Sequence, residues 1–263
     1  MALRHTGRVP GNPLALHGRV ALVTGGSRGI GRATSELLAQ LGARVVVNFR
    51  TRERDAVATV RSIQRLGGEA IAVGADLADP RQAQALVEET VDFYKRLDIL
   101  VNNAGIWEEG ALATMSAADW GRTMAVNLDS VFFVSQAAVR HMKRRKRGAI
   151  VNLSSTAGQR GEAFYSAYAA TKGAIISLTK SWAVELAPAG IRVNCVAPGW
   201  VDTEMAAPGL AGSARREVMR GIPLRRVGKP SEIAAAVAFL AGDACAFATG
   251  EVLNVNGGAV LCG

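Results

Sequence analysis

Short β-branched runs alternate with helical stretches along this chain, and that alternation leaves few folds open. Arg19 to Val23 is an apolar run ending in a glycine turn, and Ala33, Leu37, Leu38 and Leu41 follow at helical spacing. Ala43 to Val47, Ala70 to Val73, Ile99 to Val101, Ala149 to Leu153, Ile191 to Val196 and Glu251 to Val255 read as further strands. Helical sequence lies between them over residues 56–66, 81–94, 120–147, 165–186 and 231–240. Strands separated by helices of this length predict a parallel sheet with helices on both faces. Continuous rather than alternating apolar character fits strands buried on both sides. The expected fold is α/β, a doubly wound parallel sheet of about seven strands.

No internal repeat or Pro/Ser-rich linker divides the chain, so residues 17–263 are expected to form one domain. Residues 1–16 contain Arg and Pro but no apolar stretch, and read as a flexible extension, not a signal peptide. Residues 203–223 carry Gly and Pro and form the one long connection, a candidate lid over a site. With 263 residues, 49% of them hydrophobic, a sizeable core is expected and global disorder is not. No apolar run approaches the ~20 residues of a membrane span. Cys195, Cys245 and Cys262 are odd in number and lack metal-ligand spacing, and His5, His17 and His141 are scattered. We expect no metal site and a reducing, cytoplasmic setting.

The net charge of +9 favours anionic partners. Its densest run is Lys143 to Arg147, which follows an apolar helical stretch and precedes Gly148. Cations in a last turn followed by glycine are an ordinary helix end. The run also suits docking of an acidic protein. Nucleic-acid binding is the least supported reading, since no aromatic residues interleave with the charges.

Between the first strand and first helix stand Thr24, Gly25, Gly26, Ser27, Arg28, Gly29, Ile30 and Gly31. Glycines there permit a tight turn and close backbone approach to a pyrophosphate, which a helix N-terminus attracts. The pattern reads as a Rossmann-like nucleotide site in outline, or as a glycine-rich turn with no ligand. An acid at the end of the second strand would bind a ribose 2′-hydroxyl and repel a 2′-phosphate. Asn48, Phe49 and Arg50 stand there instead, and Arg28 lies in the turn. Two guanidinium groups and no carboxylate point to NADP(H), although either arginine also reads as a solvated surface charge. Asp76 and Leu77, past the third strand, either face an adenine or begin an Asx turn.

Tyr168 and Lys172 are four residues apart, and Ser155 lies thirteen residues before the tyrosine. Positions i and i+4 share a helix face. A cation beside a phenol favours phenolate and moves its pKa toward neutrality, as proton transfer to a carbonyl oxygen requires. The same pair alone also reads as a solvated helix contact.

From about residue 17 the chain resembles the classical short-chain dehydrogenases/reductases over nearly its whole length. The matching residues are Thr24, Gly25, Gly29 and Gly31 in the turn, Asn102 to Gly105 after the fourth strand, then Asn127, Ser155, Tyr168, Lys172, Pro198 and Gly199. The resemblance implies an oxidoreductase that moves hydride between NADP(H) and a carbonyl or secondary alcohol. It implies that Tyr168 is the acid in reduction and that Lys172 lowers its pKa and holds the nicotinamide ribose. Ser155, with Ser154 as the adjacent alternative, would bond the substrate oxygen. Asn127 would anchor a water linking Lys172 to solvent. Asn103, Ala104 and Gly105 would run beside the adenosine ribose, and Tyr165 would pack or line substrate. Pro198, Gly199, Val201 and Thr203 would contact the carboxamide and set which ring face reacts.

Within the family the pattern is similar to 3-oxoacyl-[acyl-carrier-protein] reductases, which implies an acidic acyl carrier protein as partner for the basic run. That subgroup often has a second basic residue before the glycine at Gly190, where this chain has Ala189, with Arg192 nearby. A small ketone, quinone or sugar alcohol remains an alternative substrate, and an NADP-sensing regulatory protein the non-enzymatic alternative. Family likeness also implies a homotetramer.

Overall fold

The computed structural model describes residues 12–262. Seven strands, β1 (Val20–Val23), β2 (Arg44–Phe49), β3 (Glu69–Gly74), β4 (Ile99–Asn102), β5 (Gly148–Leu153), β6 (Ile191–Pro198) and β7 (Val252–Val255), form one sheet in the order β3-β2-β1-β4-β5-β6-β7. Every pairing is parallel. The expected single-domain doubly wound sheet is therefore the fold. Strand order reverses between β1 and β4, with later strands added on the opposite side, and in such sheets ligands bind beyond the carboxyl ends of the strands at that point.

Alternation within β1 shows why both faces are apolar. Ala21 and Val23 join Leu38, Ile63, Ile233 and Val237 in one core. Val20 and Leu22 join Leu86, Val134, Met142 and Leu186 in the other. Consecutive strand residues point to opposite faces, so each strand feeds two cores. The first is covered by α1 (Gly29–Gln40), α2 (Glu53–Arg65) and the last helix, α9 (Pro230–Ala241). The second is covered by α3 (Pro80–Tyr94), α5 (Ser130–Arg145) and α7 (Ser166–Leu186). Local chemistry sets several helix starts. Asp79 caps α3 by accepting from Arg81 N–H at 2.9 Å, with Pro80 in the first turn, and Ser116 caps α4 (Ala117–Met124).

Four expectations change. The extension's residues 1–11 lie outside the described residues, but Leu16, assigned to its end, is fully buried and its N–H donates to Leu41 O at 2.7 Å. The ordered fold thus starts before residue 17. Helical sequence over 120–147 is not one regular helix, because a π-helical segment, Ala125–Asp129, separates α4 from α5. The basic run ends that helix at Arg145, with Lys146 as left-handed cap (φ 50°), while Gly148 opens β5. Finally, residues 203–223 hold a 3-10 turn (Pro208–Leu210) and α8 (Gly212–Arg220), packed through Leu210, Ile222 and Val227 against Trp200 and Val218. This segment is a small folded layer with its own core.

Candidate active site

One cleft of about 330 Å³ runs along the carboxyl ends of the strands. Gly25, Ser27, Arg28, Gly29 and Ile30 after β1 form its floor, with Asn48, Phe49 and Arg50 after β2 at one end. Asp76 and Leu77 after β3, and Asn103, Ala104 and Gly105 after β4, line it further. Ser155, Tyr168, Lys172, Pro198, Gly199, Val201 and Thr203 close the other end. Twenty of the site residues predicted from sequence meet here; Gly31 and Asn127 stand behind the wall.

The floor is held by side chains that bond backbone. Thr24 Oγ1 accepts from Asn103 N–H at 2.9 Å and Ala104 N–H at 3.0 Å, tying β1 to β4. Asn103 Nδ2 donates back to Thr24 O and Gly25 O. Asn48 Oδ1 accepts from Gly25 N–H, and its Nδ2 donates to Val73 O, so this buried amide braces the turn. Gly25 and Gly29 have φ of 61° and 53°, conformations that favour glycine. Gly31 serves differently: a Cβ there would lie 2.1 Å from Gly25 O and 2.5 Å from Asn103 Nδ2. It lets α1 pack under the turn. No side chain caps the first turn of α1, and no acid lies in it. Free N–H groups and the helix dipole at a cleft floor fit a cofactor pyrophosphate.

At the far end, α7 places Tyr168 and Lys172 on one face. Lys172 Nζ lies 5.7 Å from the centre of the Tyr168 ring and donates to Leu153 O at 2.8 Å. Burial pulls the Lys172 ammonium down to about 8. Burial likewise pushes the Tyr168 phenol up to about 12, opposed by a Ser155 hydrogen bond and assisted by the Glu162 charge. The net shift is upward, contrary to the sequence-based expectation: desolvation outweighs the Ser155 hydrogen bond, and Lys172 is not among the groups that lower the phenol.

The two serines separate cleanly. Ser154 Oγ donates to Lys172 O at 2.7 Å and is buried. Ser155 caps the short helix α6 (Thr156–Arg160), accepting from Ala157 N–H at 3.1 Å, and bonds Tyr168. Asn127, fully buried in the π segment, clamps the backbone of Ile106: Oδ1 accepts from its N–H at 2.7 Å and Nδ2 donates to its O at 2.9 Å. Asp76 accepts from Ala78 N–H as an Asx turn and also lines the cleft. Leu77 also belongs to the core.

Sequence reasoning missed an aromatic wall. Trp107 stacks on Tyr165 (4.4 Å, 7°), meets Trp200 edge-on (5.6 Å, 87°) and donates from Nε1 to Glu162. Burial raises the Glu162 pKa. Trp107 follows Gly105 by two residues and Glu162 lies between Ser155 and Tyr168, so position along the chain was the available signal. Arg52 and Glu204 also line the cleft.

A family model described as enoyl-(acyl carrier protein) reductase matches residues 25–260. The chain belongs to the short-chain dehydrogenase/reductase family. A 3-oxoacyl-[acyl-carrier-protein] reductase of Synechocystis sp. is 43% identical over 94% of this chain and 99% of its own. A 3-oxoacyl-[acyl-carrier-protein] reductase of Thermotoga maritima is 41% identical over 94% of this chain and 100% of its own. Among solved structures, a short-chain dehydrogenase/reductase variant of Serratia marcescens superposes with a TM-score of 0.88 at 39% identity, covering 94% of this chain and 99% of that one. A dehydrogenase/reductase from Sinorhizobium meliloti gives 0.89 at 38%, covering 95% and 98%. As a short-chain dehydrogenase/reductase the chain is an oxidoreductase that uses a nicotinamide cofactor. Among the described residues no helix is long and apolar enough to cross a membrane, and no His, Cys, Asp and Glu cluster suits a metal.

Proposed function

We propose that this protein reduces 3-oxoacyl thioesters carried on an acyl carrier protein, using NADPH, with Tyr168 as the acid. The observation that carries the chemistry is the meeting of Ser155, Tyr168 and Lys172 at one end of a cleft whose floor is an uncapped helix N-terminus. The names of the relatives supply the substrate class.

The residues fit a dinucleotide. The α1 N-terminus and Ser27 would hold the pyrophosphate, Asn103 to Gly105 the adenosine ribose, Lys172 the nicotinamide ribose, and Pro198 to Thr203 the carboxamide. Arg28, Arg50 and Arg52 would meet a 2′-phosphate. Bound there, the nicotinamide supplies hydride. The protein's part is orientation and proton delivery. Ser155 donates to the substrate carbonyl oxygen and holds it beside the Tyr168 hydroxyl. A phenol held near 12 is protonated at neutral pH, the state that reduction needs. Lys172 is charged there and stabilises the negative charge that forms on Tyr168 as its proton leaves. Asn127 holds Ile106 and Gly105 against Lys172, where a water would complete the proton path to solvent.

Lys143, Arg144, Arg145 and Lys146 are exposed, and among the described residues none forms an ion pair. They are the surface we assign to the acidic carrier protein. Arg192 does not join them, because its guanidinium donates to Leu240 O, Ala241 O and Gly242 O at the end of α9.

The test is NADPH oxidation with acetoacetyl thioesters, simple ketones, quinones and keto-sugars side by side. Thioester reduction with a higher kcat/KM for NADPH than for NADH is the expected result. A kcat/KM at least equal with NADH refutes the cofactor assignment. A preference for a ketone, quinone or sugar refutes the substrate assignment.

A further inference from the structure

The acid that sequence found missing at the end of β2 arrives from the lid. One oxygen of Glu204, Oε2, lies 2.9 Å from Arg28 Nη1 and 3.2 Å from Arg52 Nη2. Arg28 belongs to the glycine turn and Arg52 to the loop after β2, so this carboxylate bridges the two segments that border the ribose end of the cleft. The remaining arginine there, Arg50, faces Asp76 at 4.0 Å, and Arg52 also meets Asp55 at 3.3 Å. The backbone below fits this closure. Thr203 Cγ2 would sit 3.4 Å from a Cβ on Gly29, so the lid rests directly on the turn.

We propose that Glu204 is a built-in competitor for the cofactor's 2′-phosphate, seated in the two-arginine cradle which that phosphate must take, so that binding of NADP(H) displaces the lid carboxylate and binding of NAD(H) leaves it in place. The cradle's two guanidinium groups share a single anionic oxygen, the arrangement that a phosphate oxygen would adopt. Glu204 and both arginines are partly exposed, so the bridge is weak enough for a dianion to break. Retaining the carboxylate beside an incoming phosphate would set like charges together, which forces Glu204 to move. Lid position thereby reports which cofactor is bound, and the strength of the bridge sets how strongly the phosphate is preferred. The proposal rests on the cofactor reading above.

The experiment is titration calorimetry of the full chain and of Glu204→Gln with NADPH, NADH and adenosine 2′,5′-bisphosphate. Removing the competing charge should tighten NADPH and the bisphosphate roughly threefold to tenfold. NADH should change less than twofold. Limited trypsin digestion gives a second readout at the lid arginines Arg215, Arg216 and Arg220. Adenosine 2′,5′-bisphosphate should speed lid cleavage in the wild-type chain, 5′-AMP should not, and Glu204→Gln should be cleaved fast with either. Unchanged or weakened NADPH binding in Glu204→Gln overturns the proposal, as does an equal change for NADPH and NADH. If the wild-type chain binds NADPH, those results leave the functional reading standing; if it binds neither nucleotide, both fall.

Discussion

Lys172 Nζ stands 5.7 Å from the Tyr168 ring centre with a hydrogen bond to Leu153 O, and burial moves the two groups' proton affinities in opposite directions. The lysine falls from 10.5 to about 8. Between those values the unfolded chain keeps a proton that the folded chain has released, so this site's contribution to stability rises with pH across that window. Tyr168, raised from 10.0 to about 12, keeps a proton that the unfolded chain loses, and its contribution falls above pH 10. Comparing wild type with Lys172→Met isolates the lysine. The difference in Tm should move in favour of wild type by roughly 5 °C between pH 8 and 10. A flat or opposite trend contradicts the buried lysine.

The two serines predict two different losses. Ser155→Ala should lower kcat about 10²-fold by removing a donor to the substrate oxygen. Losing its cap on α6 should also cost about 1 kcal/mol of stability. Ser154→Ala removes the bond to Lys172 O, and should cost about 1 kcal/mol while leaving kcat within roughly fivefold. Equal kinetic losses in the two variants would show that Ser155 holds no special place.

Two glycines in helices separate close approach from propensity. Gly31→Ala drives a methyl into Gly25 O at 2.1 Å and should lower Tm sharply and weaken NADPH binding at least roughly tenfold. Gly121 in α4 has open space around it, so Gly121→Ala should stabilise by about 0.5–1 kcal/mol. Thermal melts and cofactor titration of both variants check this pair; tolerance at Gly31 would mean the turn can shift.

The sheet was legible because parallel strands buried on both sides leave continuous apolar runs, which Ala149 to Leu153 and Ile191 to Val196 display. The ends of the cleft were legible because Gly25, Ser155 and Tyr168 each follow a strand or sit at a fixed helical spacing. Other parts were not. The π segment at Asn127 interrupts a pattern whose apolar period continues on either side. Helix α8 hides among Gly, Ala and Arg residues that signal a loop. The Tyr168 pKa depends on burial, which spacing to Lys172 does not report. Glu204 meets Arg28 across 176 positions of chain, a contact no local motif encodes.

The basic run yields a separable kinetic prediction. Reversing Lys143, Arg144 and Arg145 to Glu should raise KM for a carrier-bound acetoacetyl substrate roughly tenfold at low salt, with the free thioester unaffected. Equal KM values for the carrier-bound substrate in variant and wild type would remove this surface from carrier docking.

We assign delivery of the proton to the substrate oxygen to Tyr168, and Tyr168→Phe tests this with the smallest change. NADPH affinity, measured by calorimetry, should stay within about threefold, since the ring remains and only the hydroxyl is lost. The kcat for acetoacetyl thioester reduction should fall ~10²–10⁴-fold. A Tyr168→Phe enzyme that keeps a third of the wild-type kcat would show that another group delivers the proton.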